Sequence, residues 1–113
     1  MFGNVLQVLR MLRFRDAPFQ SERRPVAAFI ITRIQTGDYD RWRPMFDQDR
    51  PRAREKAQVQ RVLRSVDDPD EVFIYLEYES VEEANEARAR LVSSGVLERF
   101  EDKHGPNVLI DAG

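Results

Sequence analysis

Apolar residues at the start of the chain recur at the spacing of an α-helix. Within residues 1–15 polar residues separate them, so that they form a single stripe: Phe2, Val5, Leu6, Leu9 and Leu12. The polar residues that follow include Pro18 and Pro25 and interrupt this periodicity, which predicts a linker. The chain therefore divides into an extra N-terminal amphipathic helix with its linker, residues 1–24, and a main domain, residues 25–113.

The main domain alternates between strand-like and helical patterns. β-Branched and aromatic residues concentrate in four segments, which predict strands at residues 26–35, 58–66, 71–79 and 107–111. A first helix is predicted after Asp38 or Asp40, and a second begins at the capping box of residues 80–83 and ends at Gly95. The order β-α-β-β-α-β predicts an α+β protein with the ferredoxin-like arrangement. We expect an antiparallel sheet except at its centre, where the first and third strands lie side by side.

Alternation along the strands separates two faces of this sheet. On the third strand an apolar set is expected to pack on the helices: Val72, Ile74, Leu76 and Tyr78. On the first strand the same division puts Thr32 on the helix side and Arg33 on the other side. The second face then exposes a central apolar patch: Phe29, Ile31, Phe73 and Tyr75. Because such a patch is seldom left in water on a soluble protein, we expect something to cover it.

Composition excludes several kinds of chemistry. The 113 residues include no cysteine and one histidine, His104, so we expect neither thiolate chemistry nor a metal site. No phosphate-binding glycine loop or dinucleotide fingerprint occurs, and we expect no cofactor. No apolar run approaches the roughly 20 residues of a membrane span. The expected location is the cytoplasm.

The charge distribution bears on possible partners. The net charge is −2, residues 1–24 contribute +3 to it, and residues 25–113 therefore carry −5. Phe73 and Tyr75 occupy alternate positions of the third strand, as the base-stacking aromatics of RNA-recognition motifs do. An acidic domain disfavours phosphate binding, however, and Asp70-Glu71-Val72 replaces the glycines and basic residue of that motif. RNA binding is therefore the least favoured alternative, and we expect no nucleic-acid partner.

Three segments of the domain carry a family resemblance. They are DRWRPMFD at residues 40–47, RVLRSVDDPDEV at residues 61–72 and SVEEA at residues 80–84. Together they resemble the first helix, the strand-turn-strand unit and the second-helix start of the dimeric α/β-barrel superfamily, in its cyclase-like and antibiotic-biosynthesis-monooxygenase-like members. The resemblance implies a homodimer in which two sheets pack face to face. The implied interface comprises Phe29, Ile31, Arg33, Phe73, Tyr75 and Glu77, with Arg33 and Glu77 expected to form an ion pair on adjacent strands.

The same resemblance implies an apolar pocket for an aromatic, polyketide-like small molecule between the helices and the sheet. Trp42 and Phe46 would hold this ligand, and Thr32 and Tyr78 would orient its oxygen atoms. His104, in a loop just before the last strand, would move protons, because histidine is the side chain that ionises nearest to neutral pH. The implied reaction is a cofactor-independent oxygenation or cyclisation, in which the protein binds, desolvates and deprotonates the substrate. Whether the chain is an enzyme stays open.

Each candidate residue also has a plainer explanation. Trp42 and Phe46 are typical of core packing, and Thr32 and Tyr78 of ordinary strand positions. A lone loop histidine such as His104 is usually solvated and inert. A non-catalytic binding or assembly module with the same dimer is therefore the alternative function. The N-terminal stripe favours that alternative, because it adds a surface that can pack on the domain or on the partner subunit. Docking of residues 1–15 to a membrane surface or another protein is the less favoured role for it.

Overall fold

The computed structural model describes residues 26–113, so the predicted N-terminal helix and linker lie outside the described residues. The described residues form an α+β structure. Its strands are β1 (Ala28–Gln35), β2 (Val59–Arg64), β3 (Glu71–Tyr78) and β4 (Lys103–Leu109). Its helices are α1 (Tyr39–Asp47) and α2 (Val81–Ser94), and a short 3₁₀ helix (Val96–Arg99) follows α2. This order is the predicted one and is compatible with a ferredoxin-like fold.

All neighbouring strands of the sheet run antiparallel, in the order β2-β3-β1-β4. The prediction that the sheet is not antiparallel between β1 and β3 is therefore wrong. These two strands pair antiparallel, with Ala28 opposite Tyr78 and Gln35 opposite Glu71. The connections explain this direction. Because α1 carries the chain back, β2 runs in the same direction as β1, and the tight turn after β2 reverses β3. Lying between β1 and β2, β3 therefore opposes both.

One face of the sheet is buried under the helices, as the alternation predicts. Every second residue is buried along β1 from Ala28 to Ile34 and along β3 from Val72 to Tyr78. The helical layer contributes further buried side chains to this core: Trp42, Ala84, Ala87 and Leu97. The short alanine side chains allow the α2 backbone to approach the sheet closely.

Local sequence signals set the helix ends. The Asp38 carboxylate caps α1 by accepting a hydrogen bond from the Arg41 backbone N–H at 3.2 Å. The Ser80 hydroxyl caps α2 in the same way, accepting from the Glu83 N–H at 3.0 Å, and α2 ends at Gly95 with φ of 78°. Of the two predicted caps for α1, Asp38 is thus the one used. No helix within residues 26–113 has both the length and the apolar character needed to cross a membrane.

The turn between β2 and β3 fixes the start of α1 against the sheet. The Asp70 carboxylate accepts a hydrogen bond from the Tyr39 N–H at 3.0 Å. The backbone carbonyl oxygen of Asp70 accepts one from the Thr36 N–H at 2.8 Å. The Asp68 carboxylate accepts from the Asp70 N–H at 3.0 Å and from the Gln35 side-chain amide at 2.8 Å. These acidic residues therefore serve the turn and the position of α1.

Strand β4 begins earlier than the sequence predicts, at Lys103 instead of Asn107. Gly105 and Pro106 look like a strand break in the sequence, yet they lie inside β4, where the pairing with β1 shifts register between Ile31 and Arg33. Gly105 has φ of 92°, and a Cβ atom added there would lie 2.7 Å from the Ile31 carbonyl oxygen. The close approach of β4 to β1 at this shift therefore requires glycine.

Gly105→Ala is expected to lower the free energy of unfolding by about 2–3 kcal/mol, because it adds a backbone clash to an unfavourable φ. Urea unfolding followed by circular dichroism measures this loss. Gly37→Ala is the matched control, since Gly37 has φ of 75° but no atom within 4 Å of an added Cβ. A loss no larger than that of the control would show that β4 moves away without cost.

Candidate functional site

A cavity of about 160 Å³ lies between the sheet and the helical layer. The buried face of the central strands forms its floor, with Thr32 and Ile74 among the lining residues. Trp42 and Phe46 of α1 form a wall, and the segment that joins α1 to β2 and the residues around the 3₁₀ helix supply the rest. Most of the lining is apolar, as in sites that bind small hydrophobic molecules.

The aromatic wall of the cavity comes from one face of α1. The rings of Trp42 and Phe46 are stacked, with their centroids 4.8 Å apart, and the Tyr39 ring lies 5.7 Å from that of Trp42. Their spacing of three and four residues places them on the same side of the helix. The Arg54 guanidinium covers the Phe46 ring at 3.6 Å from its centroid. Two of the predicted pocket residues, Trp42 and Phe46, thus lie together at the cavity.

Thr32 is the only buried polar residue among those described, with 2% of its surface exposed. It lines the cavity floor, and its hydroxyl makes no hydrogen bond within residues 26–113. A buried hydroxyl without a partner is unfavourable, so such groups are normally satisfied by protein, water or ligand. The Thr32 hydroxyl is therefore available to bond a molecule inside the cavity.

A side-chain clamp holds the segment between α1 and β2 over the cavity. The Asp49 carboxylate accepts hydrogen bonds from the backbone N–H groups of Ala53 and Arg54, each at 3.1 Å. The Arg54 side chain pairs with Asp49 at 3.4 Å and also donates to the Phe46 carbonyl oxygen. Asp49 has φ of 45°, a left-handed conformation that aspartate adopts more readily than most residues. The segment is therefore closed by Asp49 and Arg54 acting together.

Tyr78 supports this segment from below and does not line the cavity. It is fully buried, and its hydroxyl donates to the Ala53 carbonyl oxygen at 2.7 Å. The predicted role of Tyr78, orienting a ligand's oxygen atoms, is thus not supported by its position. Burial, together with the nearby negative charge of Asp49, raises the pKa of Tyr78 to about 12.

Tyr78→Phe is expected to change how stability depends on alkaline pH. The raised pKa means that the native state favours the neutral phenol, so this contribution to stability is complete below pH 10 and is lost between about pH 10 and 12. The variant lacks that contribution at every pH. Urea unfolding at pH 8, 10 and 11 should therefore show a smaller alkaline decline for the variant than for the wild type. Parallel curves for the two proteins would contradict the inference.

His104 lies away from the cavity and within β4, not in a loop before it. It is exposed and opposite Arg33 in the pairing of β4 with β1. Residues directly opposite each other in a sheet share a face, so His104 lies on the side turned away from the helices. The structure therefore does not bring the predicted proton-transfer residue to Trp42, Phe46 and Thr32. No cluster of metal-ligating side chains occurs in the described part of the chain either.

The ion pair predicted between Arg33 and Glu77 is not formed. Arg33 instead pairs with Glu71 at 2.5 Å and with Asp102 at 2.6 Å, and the hydrogen bond from Arg33 lowers the pKa of Asp102. Glu77 accepts a hydrogen bond from the Tyr75 hydroxyl at 2.5 Å, which raises the pKa of Tyr75. The antiparallel pairing of β1 with β3 is the reason, because it puts Arg33 and Glu77 at opposite ends of the two strands.

The second face of the sheet, here called the open face, is apolar at its centre. The rings of Phe29 and Tyr75 lie 6.0 Å apart, and Ile31 lies opposite Tyr75. Apolar residues of the edge strands extend the patch, since Leu63 lies opposite Phe73 and Leu109 opposite Phe29. Phe73, Leu63 and Leu109 are 36%, 51% and 41% exposed. The open face is thus an uncovered apolar surface within residues 26–113.

Sequence reasoning missed the Asp49–Arg54 clamp, because residues 51–57 look like a short polar turn. A signal was nevertheless present at the end of α1. Asp49 is followed by Pro51, and aspartate close before proline is typical of turns in which the carboxylate accepts hydrogen bonds from backbone N–H groups. The sequence could not show that Arg54 would return to the Phe46 ring.

Comparisons with known proteins identify no relative, because no family model, no curated protein and no solved structure matches the chain.

Proposed function

We propose that this chain is a small-molecule-binding protein of the dimeric α/β-barrel type. Each subunit would hold one small hydrophobic or aromatic ligand in the cavity beside Trp42, and two subunits would pack through their open faces. The observation that carries the proposal is the cavity itself, an apolar pocket with aromatic walls and one hydroxyl, that of Thr32, that has no partner within residues 26–113. This combination of apolar lining and a single orienting polar group is typical of ligand sites.

Burial of apolar surface favours an occupied cavity. The space of about 160 Å³ is partly open to solvent and is lined mostly by apolar side chains. Apolar surface in contact with water is unfavourable, so a ligand that covers this lining is stabilised by the hydrophobic effect. The polar atom of such a ligand can pair with the Thr32 hydroxyl.

The side chains around the cavity support binding better than turnover. Asp49 is the one carboxylate among the described lining residues, and its oxygen atoms are occupied by two N–H groups and Arg54. The Tyr78 hydroxyl is committed to Ala53, and His104 lies on the other face of the sheet. The oxygenation or cyclisation that the resemblance implies needs a group that removes a proton. Since none of the described lining residues is poised for that step, we propose binding as the function of the cavity.

The open face supports the dimer. An apolar patch centred on Phe29, Ile31, Phe73 and Tyr75 is costly in water and needs a cover. A second copy of the same chain offers a surface of the same composition, and symmetric pairing of one patch with itself is the commonest form of homodimer. Sheet-to-sheet packing would bury these residues in the way that the family resemblance implies.

Binding can be tested with toluene, a neutral single-ring probe, on the full chain. Trp42 is the only tryptophan of the protein, so a change in its fluorescence reports events at the cavity. Ala53→Leu adds three carbon atoms at a lining residue and should abolish the response. Ala57→Leu is the matched control, because Ala57 packs against the core but does not line the cavity. No response of the wild type, or an equal response from both variants, would contradict a ligand cavity at this place.

A further inference from the structure

The volume of the cavity matches a ligand of about one ring. Its volume of about 160 Å³ is close to the roughly 150 Å³ of an engineered apolar cavity that binds benzene. A fused two-ring or three-ring system needs substantially more space than this. The enclosed part of the ligand is therefore of the size of a single six-membered ring with small substituents.

The charged residues at the cavity are predominantly basic. Three arginines and one aspartate line it: Arg50, Arg54, Arg99 and Asp49. Arg54 and Asp49 form an ion pair with each other, whereas Arg50 and Arg99 have no carboxylate partner within residues 26–113. The contact found for the Arg99 side chain is with the Met45 sulfur, at 3.5 Å. Within the described part of the chain, two exposed cations thus lack a counter-charge where the cavity meets the solvent.

The neighbouring acidic groups do not neutralise both of these cations. Arg99 also borders an outer groove that contains Asp38, Glu101 and Asp102. Asp38 caps α1 and Asp102 pairs with Arg33, so two of the three carboxylates are engaged elsewhere. Arg50 borders the inner cavity and not this groove. Arg50 and Arg99 are therefore available to an anion at the rim without displacement of an ion pair within residues 26–113.

We infer that the ligand is a single-ring aromatic carboxylate, an inference that rests on the proposed binding function. Its ring lies beside Trp42 and Phe46, and its carboxylate lies at the rim with Arg50 and Arg99. Arginine suits this role, because its planar guanidinium donates paired hydrogen bonds to a carboxylate. A hydroxyl or carbonyl substituent on the enclosed part of the ring would bond the Thr32 hydroxyl.

The carboxylate and the single ring can be tested separately by calorimetry on the full chain. The probes are benzoate, benzamide and 2-naphthoate. Benzoate and benzamide have nearly the same shape and differ in charge, and we expect benzoate to bind about tenfold more tightly. 2-Naphthoate keeps the charge but adds a ring, and we expect it to bind at least tenfold more weakly than benzoate. The advantage of benzoate over benzamide should also decrease as salt is raised, because the arginines are exposed.

The variant Arg50→Gln/Arg99→Gln should lose the preference for the anion and bind benzoate and benzamide with similar affinity. Arg88→Gln is the matched control, because Arg88 is an exposed arginine of α2 that does not line the cavity. It should leave the preference for benzoate unchanged.

Each outcome bears on a defined claim. Equal binding of benzoate and benzamide to the wild type would overturn the carboxylate, and binding of 2-naphthoate as tight as that of benzoate would overturn the single ring. Both results are compatible with the proposed binding function, provided that toluene still binds. If neither toluene nor benzoate binds, the proposed function fails and the inference fails with it.

Discussion

Replacement of Ile31 by glutamate is expected to convert the proposed dimer into monomers. Ile31 lies on a central strand of the sheet, opposite Tyr75 on β3 and Asn107 on β4, in the middle of the open face. In the monomer a glutamate there remains in water. In the dimer it would be buried without a partner, at a cost on the order of several kcal/mol.

The surroundings of Ile31 make it a sharper choice than Tyr75. Tyr75 lies opposite Arg61 on β2, so a carboxylate introduced at Tyr75 could pair with that arginine. Arg33, the cation two residues beyond Ile31, is already bonded to Glu71 and Asp102. Neither neighbouring strand, β3 or β4, carries an arginine that could pair with a glutamate at position 31.

Light scattering coupled to gel filtration measures the subunit count of the full chain, and circular dichroism confirms that the variant is folded. Val66→Glu is the matched control, because Val66 is fully exposed in the turn before β3. The control should remain dimeric. A folded Ile31→Glu protein that is still a dimer would show that the subunits meet elsewhere. A monomeric wild type would show that something other than a second copy, such as residues 1–24, covers the open face.

The order of helices and strands along the chain and both faces of the central strands could be predicted from the sequence because they depend on local signals. Alternation along residues 71–78 separates the buried and open faces directly, and Ser80 and Gly95 mark the ends of α2. These signals act within a few residues of the chain, where periodicity and capping are decisive. The start of β4 was less predictable, because Gly105 looks like a break and is in fact required by a close approach to Ile31.

The candidate site was only partly predictable, because its arrangement depends on contacts far apart in the sequence. Helical spacing placed Trp42 and Phe46 on one face, and strand alternation placed Thr32 beneath them. Alternation also placed Tyr78 on the buried face, but only its bond to the Ala53 carbonyl shows that it supports a loop. The position of His104 depended on the register shift in β4, which no local pattern reveals.

A second large effect is expected at Asp49, which holds the segment between α1 and β2 over the cavity. Asp49→Ala should lower the free energy of unfolding by about 3 kcal/mol. It leaves the N–H groups of Ala53 and Arg54 without their acceptor, removes the partner of the Arg54 charge and puts alanine at φ of 45°. Acrylamide should also quench Trp42 fluorescence more strongly than in the wild type, because residues 48–54 would no longer be held over the cavity.

Two further variants separate the clamp from a general effect of charge removal. Asp49→Asn keeps a residue that tolerates the left-handed conformation and one acceptor oxygen, so we expect about a third of the loss seen with alanine. Asp47→Ala removes a neighbouring carboxylate that pairs with Arg43 on the exposed side of α1, and its cost should stay below about 0.5 kcal/mol. If Asp49→Ala were no more destabilising than Asp47→Ala, and Trp42 were quenched equally in both, Asp49 would not be what closes the cavity. The ordered result, with alanine at position 49 worst, asparagine intermediate and the Asp47 variant close to the wild type, is the one that the hydrogen bonds of Asp49 require.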